Sequence, residues 1–297
     1  MVKLFTEIKK LNGVWPKKVD SIFLDYNLLH IFDKTHKSVK HLFFHSQDFI
    51  LYSSIFTLSF NKANNYLANN FIIRLLLNLL RMDVLYLGNP FVTNAPSFSI
   101  RKDCSISFND ITDNIKCDYS LIVIPDFLYK NLNINTSLYT KIDIEDDMVL
   151  DIRNEWNNMD DYIKSLKTRY RKKVNNIINK TKVLVIKRLD VEDVIYYNVQ
   201  LNNLFDQVIS TSNFHGPKFN IDCLKLLVEN NLISLYGYFL RDDMIGFSSE
   251  IKDKNDLYSY YVGFDKIINV DFPIYGRILI EMISHSIKSN RKRLVLG

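Results

Sequence analysis

The chain has 297 residues, 47% hydrophobic and 24% charged, with a formal net charge of +5. That is enough apolar material for one large or two ordinary domains, and it excludes a disordered chain or a small stapled scaffold. Cys104, Cys117 and Cys223 stand far apart without a C-x-x-C pair, which argues against a disulfide framework or structural zinc and for a reducing compartment.

The N-terminus has no apolar run of signal-peptide length, and the stretch 71–80 is broken by Arg74 and Asn78, so a cytoplasmic protein without a membrane span is expected. Residues 1–20 read as a short helix and a loop ending at Trp15-Pro16, followed by a helix over 20–32. Alternating Phe, Ile, Leu and Tyr predict strands at 41–46 and 49–60. A helix is expected over 69–82, a buried strand over 84–88 ending in the turn Gly88-Asn89-Pro90, and another strand over 120–125. The acidic stretch 143–151 marks a boundary, giving domains of 1–150 and 151–297.

From Tyr162 to Leu189 there are ten Lys or Arg and no Asp or Glu, twice the net charge of the whole molecule. Tyr162, Leu166, Tyr170, Val174 and Ile177 recur at helical spacing while Lys164, Lys167 and Arg171 follow another face, which predicts one amphipathic basic helix. Asn157 or Asn158 can cap it, with Asp160 and Asp161 in its first turn. Such a face is either plainly solvated or an anion site for a nucleotide, a phosphopantetheine carrier or RNA, and the acid-free run favours the anion site.

Beyond it come a strand at 183–188, a helix at 191–210, a loop through His215-Gly216-Pro217, and a helix at 221–230. Three antiparallel strands follow at 233–241, 244–252 and 257–265, then a loop over 266–273, a helix over 274–288 and a last strand at 293–296. The second half therefore reads as an α+β module with a central mixed sheet, and the first half holds a similar mixture.

Several segments resemble the GCN5-related (GNAT) acyltransferases, especially the FemAB-like and BioF2-like branches. They are Trp156 with the run Asp161 to Lys173, Tyr236-Gly237-Tyr238, Ile245-Gly246-Phe247, Tyr261 to Asp265, and Tyr275-Gly276. The match covers about the last 140 residues, and Leu85 to Phe91 is similar to a segment in the first half of such proteins. The resemblance implies a GNAT-like mixed sheet flanked by helices, two tandem GNAT-like halves with the first degenerate, and N-acyl transfer. The donor would be an acyl-CoA or acyl-carrier-protein thioester, the acceptor an amine. A FemAB-type transferase using aminoacyl-tRNA is the alternative, and a catalytically silent binding module the third reading. The usual pyrophosphate loop is absent, replaced by 269–277. Relatives continue beyond the strand ending at Leu296, which implies a C-terminal sheet that is incomplete here or completed by the first half.

In the GNAT pattern the pantetheine lies along the strand after the central hairpin and the pyrophosphate meets the start of the next helix. On this chain that implies strand 257–265 and, for the donor phosphates, Pro273, Tyr275, Gly276 and Arg277. Arg169, Tyr170, Arg171 and Lys172 are the substrate-binding candidates on the basic helix. For proton handling the candidates are Glu250, His215, Tyr260 and Asp265, with Glu250 either turned inward as a base or exposed on its strand. His285 falls within the last helix and reads as structural. No metal is implied. Hydrolase, zinc-protease, kinase and dehydrogenase signatures are missing.

Overall fold

The computed structural model describes residues 2–59, 80–92, 95–135, 140, 147–210 and 216–296. The chain divides into two compact units, Met1–Asp146 with Ser212–Asn220, and Asp147–Thr211 with Ile221–Gly297. The expected helix over 69–82 and the loop residue His215 lie mostly or wholly outside the described residues, although Arg81 and Met82 are in a strand. Among the described residues no helix is long and apolar enough to cross a membrane.

The first unit contains β1 (Lys3–Phe5), α1 (Tyr26–Thr35), β2 (Lys40–His45), β3 (Phe49–Ser59), β4 (Arg81–Tyr86), β5 (Phe98–Ile100), β6 (Ile106–Ser107), α2 (Phe108–Thr112), β7 (Leu121–Val123), α3 (Asp126–Tyr129) and β8 (Leu132–Asn133). Its main sheet runs β1-β2-β3-β4-β7, antiparallel except for the parallel β4–β7 pair, with β5 also on β3. The N-terminal segment forms β1 and a short 3-10 turn where a helix is expected. α1 starts at Tyr26 because Asp25 caps it, accepting the amides of Asn27 and Leu28.

The second unit holds β9 (Val149–Asp151), α4 (Met159–Ser165), α5 (Thr168–Lys180), β10 (Val185–Arg188), α6 (Val191–Tyr196), α7 (Asn198–Ile209), α8 (Leu224–Glu229), β11 (Ser234–Leu240), β12 (Asp243–Asp253), β13 (Asp256–Phe264), α9 (Lys266–Asp271), α10 (Ile274–Lys288) and β14 (Arg293–Val295). Its sheet runs β10-β11-β12-β13-β14-β9, with β13 and β14 parallel and the other pairs antiparallel. Both units thus have an antiparallel edge strand, a three-strand meander and a parallel strand beyond it, the same order twice. β14 is not left as a bare edge: β9, from just before the basic segment, pairs with it.

Two expected single helices are broken. The basic helix parts at Leu166 and Lys167, both extended, so that Leu166 packs on the core of Trp156, Tyr162, Tyr238, Ile278 and Met282. Helix 191–210 breaks at Tyr197 into α6 and α7. The expected loop over 266–273 contains α9, capped by Asp265. α7 lies so close to β13 that a Cβ at Gly263 would come within 2.8 Å of the backbone of Leu204 and Phe205 and 2.3 Å of the Phe247 ring. Backbone cannot yield as a side-chain tip can, so Gly263→Ala should cost about 1–3 kcal/mol, read as a thermal midpoint several degrees lower.

In the first unit His36 and His41 are buried. His36 accepts the Asn220 amide at 3.0 Å and lies among the rings of Phe32, Phe91 and Phe219, while His41 bonds Tyr52 at 2.7 Å. Desolvation pushes each imidazole down to about 4, His41 also disfavouring charge on His36. An unfolded chain takes up these protons as pH falls through about 6.5, whereas the folded unit resists until about 4. Stability is therefore full above about pH 6.5 and declines from there towards pH 4. The thermal midpoint should fall by several degrees between pH 7 and pH 5, and His36→Phe should remove roughly half of that dependence.

Candidate functional site

β13 is the strand on which the candidate site is built. β14 lies beside it only at Asp256, Leu257 and Tyr258, opposite Arg293, Leu294 and Val295. Past Tyr258 the same edge, 259–264, has no strand alongside among the described residues. The other edge carries a bulge at the same level: Ser248 pairs with Val262 and Glu250 with Ser259, so Tyr260 and Tyr261 together face Ser249. The buried Ser249 hydroxyl makes good the lost ladder, accepting the Tyr261 amide and donating to the Tyr261 carbonyl, both at 2.8 Å. Tyr261 packs edge-on to Phe205, and burial raises its phenol well above the usual range. Tyr260 lies against it, with ring centroids 4.6 Å apart.

Glu250 is directed inward. It is 0% exposed, and its Oε1 is 2.7 Å from Nδ1 of His285 on α10. The other oxygen, Oε2, is buried with no hydrogen-bond partner among the described residues. The Tyr236 ring lies 4.4 Å from the His285 ring, and the Tyr238 hydroxyl bonds Ser248 at 3.2 Å. Burial raises the Tyr238 phenol well above its usual value, with the charges of Glu281 and Glu250 adding to the effect. His285 reads as structural from the sequence because it stands in an apolar helix. The signal available is its spacing: Arg277, Glu281 and His285 recur every four residues, a polar row on α10 beside Ile274, Ile278 and Met282.

α10 begins behind Pro273, and Asn269 accepts the Tyr275 amide at 2.9 Å. Tyr275 is 44% exposed and its ring lies over Phe264. Gly276 faces α5: a Cβ there would meet Ile177 Cδ1 at 2.9 Å, so the glycine lets two helices approach. Arg277 is engaged by Glu281 at 2.7 Å and by the Thr181 hydroxyl at 3.3 Å, an internal pin between α10 and α5. Asp265 is a helix cap, its carboxylate taking the Ile268 amide at 2.9 Å, which leaves it a local structural reason for its place.

On the basic segment the four candidates separate. Arg169, Tyr170 and Lys172 are exposed, with the Arg169 guanidinium stacked 4.8 Å from the Tyr170 ring centre, so Tyr170 is not on the buried stripe. Arg171 is partly buried and donates from Nη2 to the carbonyls of Lys164 (2.7 Å) and Leu166 (3.1 Å), capping the end of α4. His215 lies outside the described residues.

No protein-family model matches the sequence, and no curated protein matches it. Solved structures do match. L-PGS from Bacillus licheniformis aligns over 98% of this chain and 76% of its own, at 10% identity and a TM-score of 0.55. The chain shares the fold of L-PGS. A conserved protein of unknown function from Bacteroides thetaiotaomicron VPI-5482 aligns over 100% of this chain and 90% of its own, at 10% identity and a TM-score of 0.50. FemX aligns over 91% of this chain and 82% of its own, at 8% identity and a TM-score of 0.46. At these identities the likeness is one of fold, the tandem mixed-sheet α+β architecture that the GNAT resemblance implies.

Loss of Arg171 leaves two carbonyls at the end of α4 without their charged donor. Arg171→Ala should therefore cost about 1–3 kcal/mol, whereas Arg169→Ala, on an exposed side chain, should leave the thermal midpoint within a degree or so.

Proposed function

We propose that the chain is an N-acyltransferase that moves an acyl group from a CoA or acyl-carrier-protein thioester to an amine. The observation that carries this reading is the bulge of β13 opposite Ser249, on a strand whose neighbour β12 turns the buried Glu250 towards His285 of α10. Acyl transfer needs a place for the pantetheine arm, donors for the developing oxyanion and an acceptor for the amine proton. The pantetheine arm would lie against β13, whose regular ladder is broken by the bulge at Tyr260. Glu250, across from Ser259, is the proton acceptor.

The donor phosphates would meet the first turn of α10, where Pro273, Tyr275 and Gly276 stand and the helix dipole favours an anion. Arg277 contributes there by holding α10 to α5 rather than as a free phosphate ligand, since Glu281 balances its charge. Asp265 holds α9 in place, and His215 lies outside the described residues. The acceptor is an amine, and the first unit is a degenerate GNAT-like copy that carries no chemistry.

A second reading is favoured by one observation, the exposed Arg169, Lys172 and Lys173 on α5. There the donor is an aminoacyl-tRNA and those cations meet its phosphates. The two readings separate in binding experiments. CoA should raise the thermal midpoint of the wild-type chain by mass action, and Tyr275→Glu, an exposed change that places a negative charge at the helix start, should abolish that shift with the fold intact. tRNA binding should instead fall steeply with salt, with a shallower slope in Arg169→Gln/Lys172→Gln. A CoA shift retained in Tyr275→Glu removes the phosphate assignment.

A further inference from the structure

We infer that His285 positions Glu250 as the proton acceptor of the transfer step, its Nδ1–H holding one carboxylate oxygen so that the other is left to take the proton. This role rests on the acyltransferase reading above. A carboxylate wholly out of water is costly unless donors hold it, and Glu250 is 0% exposed. His285 Nδ1 lies 2.7 Å from Oε1. An ionised carboxylate only accepts, so the hydrogen of this bond belongs to Nδ1. Oε2 is buried without a hydrogen-bond partner among the described residues, an acceptor with unused capacity in a site where such groups are normally satisfied. In the ladder Glu250 faces Ser259, the residue just before the bulge and just past the last pair with β14.

The surroundings hold His285 to this one partner. Tyr236 of β11 covers its ring, and Glu281, one turn earlier on α10, is taken by Arg277. Tyr238 of β11 also lies beside the pair and bonds Ser248 of β12, while the charges of Glu250 and of Arg188 on β10 act on Tyr236. His285 keeps 18% of its side chain exposed.

The step balances as follows. The lone pair of the acceptor nitrogen forms the bond to the thioester carbonyl carbon, and the C–S bond breaks with its electron pair leaving on sulfur. The proton lost by nitrogen passes to Glu250 Oε2, directly or through one water, and then to the thiolate, giving amide and free thiol. His285 retains its Nδ1 proton throughout. It is a positioning residue, acting through Glu250.

The test follows release of free thiol from acyl-CoA and acyl-carrier-protein thioesters with an amine panel, across pH, for wild type, Glu250→Gln, His285→Leu and His285→Asn. The amide nitrogen of Asn can take the place of Nδ1, whereas Leu supplies no donor. Expected is a kcat about 10–100-fold lower in His285→Leu with KM for the thioester changed less than about twofold. His285→Asn should recover turnover to within about threefold of wild type. Wild-type turnover in His285→Leu overturns this role and leaves the acyltransferase reading standing. Should the Leu variant not fold, His285→Gln, whose amide nitrogen takes the place of Nε2 and not of Nδ1, stands in for it: turnover about 10–100-fold below that of His285→Asn supports the role, and equal turnover in the Gln and Asn variants overturns it. No thiol release by wild type from any thioester, with no thermal shift by CoA, removes the acyltransferase reading and this role together.

Discussion

β13 carries a bulge opposite Ser249, where Tyr260 and Tyr261 together face one residue of β12. Much of the second unit is arranged around it. After α10 ends at Lys288 the chain turns through Asn290, in the left-handed region, before Arg293 joins the sheet beside Asp256. Arg293 then pairs with Asp256 and fixes the register of the parallel pair at its first residue. Beyond Tyr258 the backbone of β13 is shaped by what lies on its faces. Ser249 completes the bulge from within the sheet, and α7 presses on Gly263. The bulge is thus built into the hydrogen bonding of the sheet, with apolar and polar packing holding both sides of it.

α10 fixes the rest. Ile274, Ile278 and Met282 bury it on the face of β11–β13, and each fully buried side chain of that size is worth roughly 1.5–3 kcal/mol. The polar row of Arg277, Glu281 and His285 is then carried into partly buried positions, where every member has a specific partner. Apolar burial supplies the energy, and the polar pairs set the rotation of the helix, because a carboxylate such as Glu250 tolerates burial only where a donor meets it.

The basic segment divides along similar lines. Its charge is partly taken up by partners in the same unit: Arg171 caps α4, and Lys187 meets Asp193 at 2.6 Å on the surface. Arg169 and Lys172 remain exposed. A run of cations without carboxylates is therefore both a fold-closing device and a surface, and the division depends on where the helix breaks.

The order of strands in the second half, the meander 233–265, the apolar helix from Ile274 and the α+β class follow from local pattern, since alternation and helical spacing act within a few residues. Where patterns were short the reading erred: the N-terminal segment forms a strand, 266–271 is helical, and the helices over 162–178 and 191–210 are each two. Leu166 leaves the helical path because the core draws it in, a force that no local spacing displays. The sequence also contains Glu250 and His285, 35 positions apart, but nothing in either segment couples them. Only the seating of α10 on the sheet does so, because burial turned a strand carboxylate and a helix imidazole towards each other at 2.7 Å. The register of the β13–β14 pair, Arg293 opposite Asp256, is likewise a tertiary decision, set by where the chain re-enters the sheet after α10.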